Sequence, residues 1–289
     1  MYHKQRQIKK LTTYIPVAET FRALASEQDC VFLDSSLVND LGRFSIIGVC
    51  PYLKLVKDGE KFFINEKEET GIIFEDYLRN YLRDHVDQNE SELPLVSGAV
   101  GYFSYDYGRK LQGVPSGEKD LVEIPDAVLT FYDVYLIEDC HQKETYLVAN
   151  GITADASEKI REMEQKIRQR TERKEEQRVP HNIIVTPNFE KEEYKKAVDD
   201  MIHYIIEGDI YITNMTQQLT IESDKAPLDV FYDLRKNNTV TVRWIHGLWR
   251  FPDRLRFPGT FSQDEKRYTS TQDRSKVHEK EARLWKKTF

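Results

Sequence analysis

The chain has 289 residues, of which 39% are hydrophobic and 31% charged, and its net charge at pH 7 is −7. This length suffices for one large or two ordinary domains. The negative charge is not typical of nucleic-acid binding, and no run approaches the ~18–20 apolar residues of a membrane span. The basic N-terminus lacks the apolar segment of a secretory signal, so we expect a cytoplasmic protein. Three cysteines in no metal or redox spacing predict buried free thiols.

Residues 31–48 contain two β-rich segments on either side of a turn. Val31–Ser36 and Arg43–Gly48 flank an Asn-Asp-Leu-Gly stretch, which is typical of a hairpin. The same signals and helical spacing predict further elements: a hairpin around Asp58-Gly59, a helix over residues 74–86, and paired strands over residues 128–139 and 144–149.

Residues 98–110 read GAVGYFSYDYGRK. Gly98 and Gly101 allow a close approach of neighbouring backbone. The segment lacks the Gly-Lys-Ser/Thr of a phosphate-binding loop. We therefore predict that its aromatic residues pack in a core between sheets: Tyr102, Phe103, Tyr105 and Tyr107.

Residues 155–177 form a strongly charged predicted helix with only a thin apolar stripe, made of Ile160, Met163 and Ile167. A Pro-containing segment follows. This composition predicts a charged helical linker over residues 151–185.

A helix is predicted over residues 190–207, where apolar residues recur at helical spacing. Gly208 supplies its stop, because a residue without Cβ adopts the left-handed conformation at low cost. Alternation over residues 210–219 then predicts a half-buried strand. Another helix is predicted over residues 226–236, with Pro227 in its first turn. Its inward face is predicted to contain Leu228, either Phe231 or Val230, and Leu234.

The GAVGYFSYDYGRK segment and the Gly-Asp-Ile-Tyr-Ile-Thr-Asn-Met-Thr-Gln stretch from Gly208 resemble the anthranilate synthase component I and aminodeoxychorismate synthase component I family. Members usually read Gly-Asp-Ile-Tyr-Gln-Val-Asn-Leu-Thr-Gln, so Ile212, Thr213 and Met215 depart from the pattern; a generic helix-to-strand turn is the alternative for this stretch alone. The resemblance implies an α+β fold of layered antiparallel β-sheets with outer helices, incomplete at the C-terminus. It implies an N-terminal domain in residues 12–150 and the start of a chorismate-binding domain in residues 186–238.

Several members of this family hold tryptophan in a pocket, as an inhibitor or a structural ligand. The resemblance carries that pocket over to Ser35, Arg43, Phe44 and Asn214. A hydroxyl and an amide can bond an amino acid's ammonium and carboxylate groups, and an aromatic ring can pack its side chain. The alternative is an ordinary strand pair with a hydrogen-bonded serine and a surface arginine.

Composition changes sharply at Thr239, where the family continues with proline after Leu-Arg-Lys-Asn-Asn. Residues 239–289 carry 12 Lys and Arg against 6 Asp and Glu, a charge of +6, so residues 1–238 carry −13. All three tryptophans also lie in this tail. A basic aromatic patch for an anionic partner is one interpretation.

Other reading frames offer a better explanation of the tail. With synonymous codons, residues 239–264 can encode PSPFGGFMDYGDFQIASASPERFLKM, and residues 270–287 can encode HTRPIKGTRKRGETLEED in the third frame. Both strings resemble the family's continuation, in order. We therefore interpret residues 239–289 as an out-of-frame tail of a truncated chain and expect poor folding after Asn238.

The out-of-frame Pro-Ile-Lys-Gly-Thr favours the aminodeoxychorismate synthase branch, because its lysine marks most members of that branch as the proposed nucleophile. Leu33-Asp34-Ser35 favours the same branch more weakly. The intact family enzyme converts chorismate and ammonia to 4-amino-4-deoxychorismate for p-aminobenzoate and folate synthesis, using Mg²⁺ and a glutamine amidotransferase subunit. Lys276 of the given sequence is read in a different frame from that lysine, so the resemblance does not make it the nucleophile.

We assign no catalytic residue and no metal ligand to this chain, and we expect it to be inactive and to bind no Mg²⁺. Two alternatives remain open. One is anthranilate synthase component I, which shares the fold and serves tryptophan synthesis. The other is a non-catalytic protein that binds tryptophan or the amidotransferase. No nucleic-acid or membrane partner is expected.

Overall fold

The computed structural model describes residues 6–114, 124–168 and 183–246. The strands are β1 (Gln7–Lys10), β2 (Val31–Asp34), β3 (Phe44–Asp58), β4 (Lys61–Ile64), β5 (Lys67–Glu69), β6 (Ala99–Phe103), β7 (Ala127–Asp139), β8 (Glu144–Ala149), β9 (Ile183–Pro187), β10 (Leu219–Ser223) and β11 (Arg243–His246). The helices are α1 (Val17–Leu24), α2 (Phe74–Asp84), α3 (Tyr105–Leu111), α4 (Ala156–Arg168), α5 (Lys191–Glu207) and α6 (Pro227–Asn237). Every strand pairing is antiparallel, which confirms the predicted α+β class.

The chain divides into two compact units, whose boundaries differ from the predicted domains. Of the described residues, the first unit contains 6–114, 124–168 and 231–246, and the second contains 183–230. Each unit is described by itself below.

Nine strands of the first unit form one sheet, in which β3 pairs with β7 along most of its length. The main order is β1-β8-β7-β3-β2-β11, while β4 pairs with β3 and β6 pairs with β7. The predicted hairpins at residues 31–48 and at Asp58-Gly59 are confirmed. The strands predicted over residues 128–139 and 144–149 are also confirmed, as β7 and β8, which pair with each other.

A bulge interrupts the β3–β7 ladder between Pro51 and Leu53. Pro51 has no N–H to donate to the ladder, and Cys50 before it has a left-handed φ of 56°. The irregularity therefore follows from the local sequence. All three thiols, of Cys30, Cys50 and Cys140, are free, as predicted, although only Cys30 is fully buried.

Helices α1 and α4 pack on the sheet of the first unit. The stripe predicted for residues 155–177 is buried in α4, with Ile160 and Met163 each 3% exposed. This part of the predicted linker is thus a helix that packs within the first unit. A narrow row of apolar side chains is enough to hold a charged helix against a sheet, because only the face toward the sheet is buried. Residues 169–177 of the predicted helix lie outside the described residues.

The glycines of residues 98–110 behave as predicted. Gly98 adopts a φ of +127°, and a Cβ on Gly101 would lie 1.8 Å from the carbonyl oxygen of Val128 on β7. Only part of the predicted aromatic core forms, because Tyr107 is 7% exposed whereas Phe103 and Tyr105 are 53% and 92% exposed. The reason is local: Phe103 ends β6, and Tyr105 opens α3 on its solvent side.

Replacing Gly101 with alanine should lower the free energy of unfolding by about 2 kcal/mol or more, because β6 must move away from β7. Gly108 is the matched control: it lies in α3 with no atom near its added Cβ. Gly108→Ala should be neutral or stabilising by up to about 1 kcal/mol. Urea denaturation measures both, and equal effects would contradict the close β6–β7 approach.

The second unit contains α5 and a ribbon of β9 with β10. Helix α5 ends as predicted, since Gly208 caps it with a φ of 86°. The predicted strand over residues 210–219 is wrong, because β10 begins only at Leu219. Residues 211–218 have no neighbouring strand among the described residues, and an alternating pattern forms a strand only where its backbone finds a partner.

Helix α6 and strand β11 return the chain to the first unit, where Phe231 of α6 is fully buried as predicted. The first residues of the predicted tail are part of the sheet, because Arg243–His246 pair with β2 and Ile245 is buried. The expectation of poor folding after Asn238 stays a prediction. Backbone pairing on an open strand edge does not require a selected side-chain pattern. The rest of the predicted tail, residues 247–289, lies outside the described residues.

Candidate functional site

Ser35 follows β2 and is held against the start of β3. Its N–H donates to the Ser45 hydroxyl at 3.0 Å, and its own hydroxyl donates to the Phe44 carbonyl at 2.8 Å. The side chain is buried, with the residue 4% exposed. The hydroxyl oxygen keeps acceptor capacity for one further donor, such as an ammonium group.

Arg43 and Phe44 lie beside Ser35, where β3 begins. The Arg43 guanidinium stacks over the Phe44 ring at 4.6 Å and donates from Nε to Asp139 Oδ2 at 2.9 Å. Nη2 donates to the same oxygen. Three of the four predicted pocket residues are therefore brought together, and Arg43 is fixed by an ion pair that the sequence did not indicate.

Asn214, the fourth predicted residue, is exposed and belongs to the second unit, between α5 and β10. Within that unit the neighbouring Met215 carbonyl accepts a hydrogen bond from the Tyr194 hydroxyl at 3.3 Å. The placement of Asn214 in the pocket stays a prediction.

A buried charged cluster at the end of β2 was missed by sequence reasoning. Asp34 is fully buried and accepts from Arg235 Nε at 3.0 and 3.1 Å. Arg243 of β11 is paired in register with Asp34 and is 4% exposed. Arg235 and Arg243 lie about 200 positions from Asp34 in sequence, so no local pattern could have found the cluster.

Burial governs the electrostatics of this cluster. Burial raises the pKa of Asp34, although the charge and hydrogen bond of Arg235 oppose the rise. Burial also lowers the pKa of Arg243, against the favourable charge of Asp34. Arg243 donates to the Asn238 carbonyl, but its Nε and Nη1 have no hydrogen-bond partner within the described part of the chain. A guanidinium held in this way is costly to bury.

An open groove of about 460 Å³ runs along α2, where the rings of Tyr77, Tyr81 and His85 stack in a column. None of the four predicted pocket residues lines it. The described residues contain no group of three or more His, Cys, Asp or Glu side chains that could hold a metal ion, so we assign no Mg²⁺ site to them. None of the described helices combines the length and apolarity needed to cross a bilayer.

The profile of the chorismate binding enzyme family matches residues 37–247. The chain belongs to this family. The match includes β3 to β11, and it passes Asn238, where the resemblance was expected to stop. Its last residues coincide with β11, so the first residues of the predicted tail occupy a family position.

Relatives carry two different names. Anthranilate synthase component 1 of Acetivibrio thermocellus is 25% identical over 233 residues, which are 73% of this chain and 47% of that protein. Aminodeoxychorismate synthase component 1 of Escherichia coli K12 is 26% identical over 206 residues, which are 68% of this chain and 43% of that protein. The chain thus spans about half the length of the curated relatives it matches.

A solved structure shares the fold. The crystal structure of anthranilate synthase component I from Streptococcus pneumoniae TIGR4 superposes with a TM-score of 0.56 at 19% identity, covering 70% of this chain and 47% of that chain. At this identity the likeness shows the fold alone.

The Arg43–Asp139 pair predicts a pH-dependent stability. Burial alone would raise the pKa of Asp139, but the hydrogen bonds from Arg43 and from the backbone N–H groups of His141 and Gln142, together with the charge of Arg43, outweigh it and hold the pKa below the usual 3.8. The stabilisation from Asp139 is therefore complete above pH 3.8 and is lost as the pH falls through the lower folded-state pKa. Asp139→Asn should lower the unfolding free energy by about 1–3 kcal/mol at pH 7.

The difference between wild type and Asp139→Asn should shrink as the pH falls from 4 toward 2, measured by urea denaturation at each pH. Asp155→Asn is the comparison: the hydrogen bonds of its own helix start lower the pKa of this exposed carboxyl, so its pH dependence reports a local helix cap rather than a buried ion pair. A wild-type advantage that stays constant down to pH 2 would contradict the assigned ion pair.

Proposed function

We propose that this chain is part of component I of an aminodeoxychorismate synthase. In this reaction ammonia replaces the 4-hydroxyl of chorismate: a C–N bond forms, the C4–O bond breaks, and water leaves. A glutamine amidotransferase subunit would deliver the ammonia. Family membership supports the use of chorismate, and no catalytic residue is assigned within the described residues.

The choice of product rests on the Pro-Ile-Lys-Gly-Thr string that residues 270–287 can encode in another reading frame. Relatives of both names match at similar identity, so similarity alone does not decide between 4-amino-4-deoxychorismate and anthranilate.

Two forms of the gene product test this proposal. The 289-residue chain should show no turnover with chorismate, ammonium and Mg²⁺. A version with both frames restored and extended by the family's remaining part should make 4-amino-4-deoxychorismate, identified by chromatography. Turnover by the 289-residue chain would show that the frame interpretation is wrong. Anthranilate with released pyruvate would identify the other branch.

An amino-acid-binding role is the second candidate, and it is favoured by the cluster of Ser35, Arg43 and Phe44. In this proposal the Ser35 oxygen accepts from the ligand's ammonium group, the Arg43 guanidinium pairs with its carboxylate, and the Phe44 ring packs against its side chain. Arg43 has five N–H donors, and Asp139 engages two of its nitrogens. Tryptophan is the proposed ligand.

Tryptophan at about 100 times its Kd should raise the Tm of the chain by about 5–10 °C, because it binds only the folded state. Ser35→Ala should abolish this rise. Ser36→Ala is the matched control, since the Ser36 hydroxyl bonds Val240 rather than Phe44, and it should keep the rise. Differential scanning calorimetry at millimolar tryptophan measures each shift, and an unshifted wild type would reject the pocket.

A further inference from the structure

The open groove along α2, which we call the α2 groove, takes no part in the functions proposed above. It has a volume of about 460 Å³ and is lined by α2 and by residues 71–73, which lead into that helix. The rings of Tyr77 and Tyr81 line it and pack on Phe62 and Phe131, which are both 2% exposed. The groove is therefore preformed, because the core fixes two of its aromatic side chains.

Two carboxylates line the α2 groove at helical spacing. Asp76 and Asp84 are eight residues apart with Asn80 midway, so the three lie along one side of α2. Among the described residues that line the groove there is no Lys or Arg, so the lining is acidic. Each carboxylate pairs with an arginine elsewhere on the helix, yet the two side chains are 56% and 59% exposed. Such exposed pairs add little stability, so another cation can replace the helix arginine.

A ring and two apolar side chains decide which cation fits. The imidazole of His85 stacks on Tyr81 with 4.1 Å between ring centroids, and no other ring of the described residues stacks on it. Its outer face can therefore receive a planar guanidinium group. Ile72 and Ile73 are 42% and 61% exposed and can cover the methylene stem of a long cationic side chain. Carboxylate, flat ring and apolar surface together favour arginine over lysine.

The spacing of the carboxylates determines the form of the ligand. Eight residues of helix advance about 12 Å, and four residues of an extended peptide advance about 13 Å, with side chains i and i+4 on the same face. We propose that the α2 groove binds an extended basic peptide with arginines four residues apart, one at Asp76 and one at Asp84. The amide of Asn80 can then donate to and accept from the peptide backbone between them. Binding at this groove goes beyond the proposed reaction and holds for either product.

Isothermal titration calorimetry of the 289-residue chain with the peptide Arg-Ser-Gly-Ser-Arg, acetylated and amidated at its ends, tests the proposal. We expect saturable 1:1 binding. The peptide Arg-Arg-Ser-Gly-Ser has the same charge but cannot reach both carboxylates, so its Kd should be about tenfold higher. Lysine in place of both arginines should raise the Kd about threefold or more, because an ammonium group neither stacks on a ring nor bonds a carboxylate in a planar fork.

Asp76→Asn combined with Asp84→Asn should raise the Kd for Arg-Ser-Gly-Ser-Arg about tenfold or more. The matched control is Asp199→Asn combined with Asp200→Asn on α5, which removes two exposed carboxylates outside the groove and should leave the Kd within about twofold. Absence of binding at millimolar peptide would overturn the proposal, as would equal effects of the two double variants or equal affinity for the two arginine spacings. Tighter peptide binding after deletion of residues 247–289 would also overturn it, by assigning the groove to that basic segment.

Discussion

The antiparallel pairing of β3 with β7 supports everything else in the first unit. It extends from Phe44 opposite Asp139 to Lys57 opposite Ala127, and every other strand of the sheet reaches it directly or through one intermediate strand. The bulge after Cys50 divides the pair into two stretches. One stretch packs the cluster that contains Ile46 and Ile137, and the other packs the cluster around Leu55. Each of these two long strands therefore contributes side chains to both hydrophobic clusters.

The candidate pocket lies at one end of this pairing. Phe44 and Asp139 form its terminal pair, so the ion pair of Arg43 with Asp139 is anchored on backbone that the ladder fixes. Ser35 is held there by hydrogen bonds to Phe44 and Ser45 rather than by its own loop. The geometry of the site therefore depends on strand register, which the buried faces of β3 and β7 determine.

The sequence predicted the elements whose causes are local. The hairpin turns, the stop at Gly208 and the close approach at Gly101 each follow from one or two residues. Prediction failed where the cause is distant. Residues 210–219 alternate as a strand does but have no partner along most of their length, and the tail's first residues form β11 because β2 offers an edge. The Asp34 cluster joins residues that only tertiary structure brings together.

The two units differ in how they hold their backbone hydrogen bonds. In the first, the bonds of β3 and β7 lie within buried clusters; in the second, helix α5 and the ribbon present theirs on exposed elements. An element without a core opens locally at low free energy, whatever its sequence propensity. The second unit should therefore open locally at a lower free energy than the first.

Native-state hydrogen exchange of the 289-residue chain, read by mass spectrometry, tests this account most directly. Amides of residues 46–49 and 134–137 should be protected about a thousandfold more than those of residues 183–186 and 201–206. Equal protection in the two sets would contradict the account, because it would require a core in the second unit that the described residues do not contain.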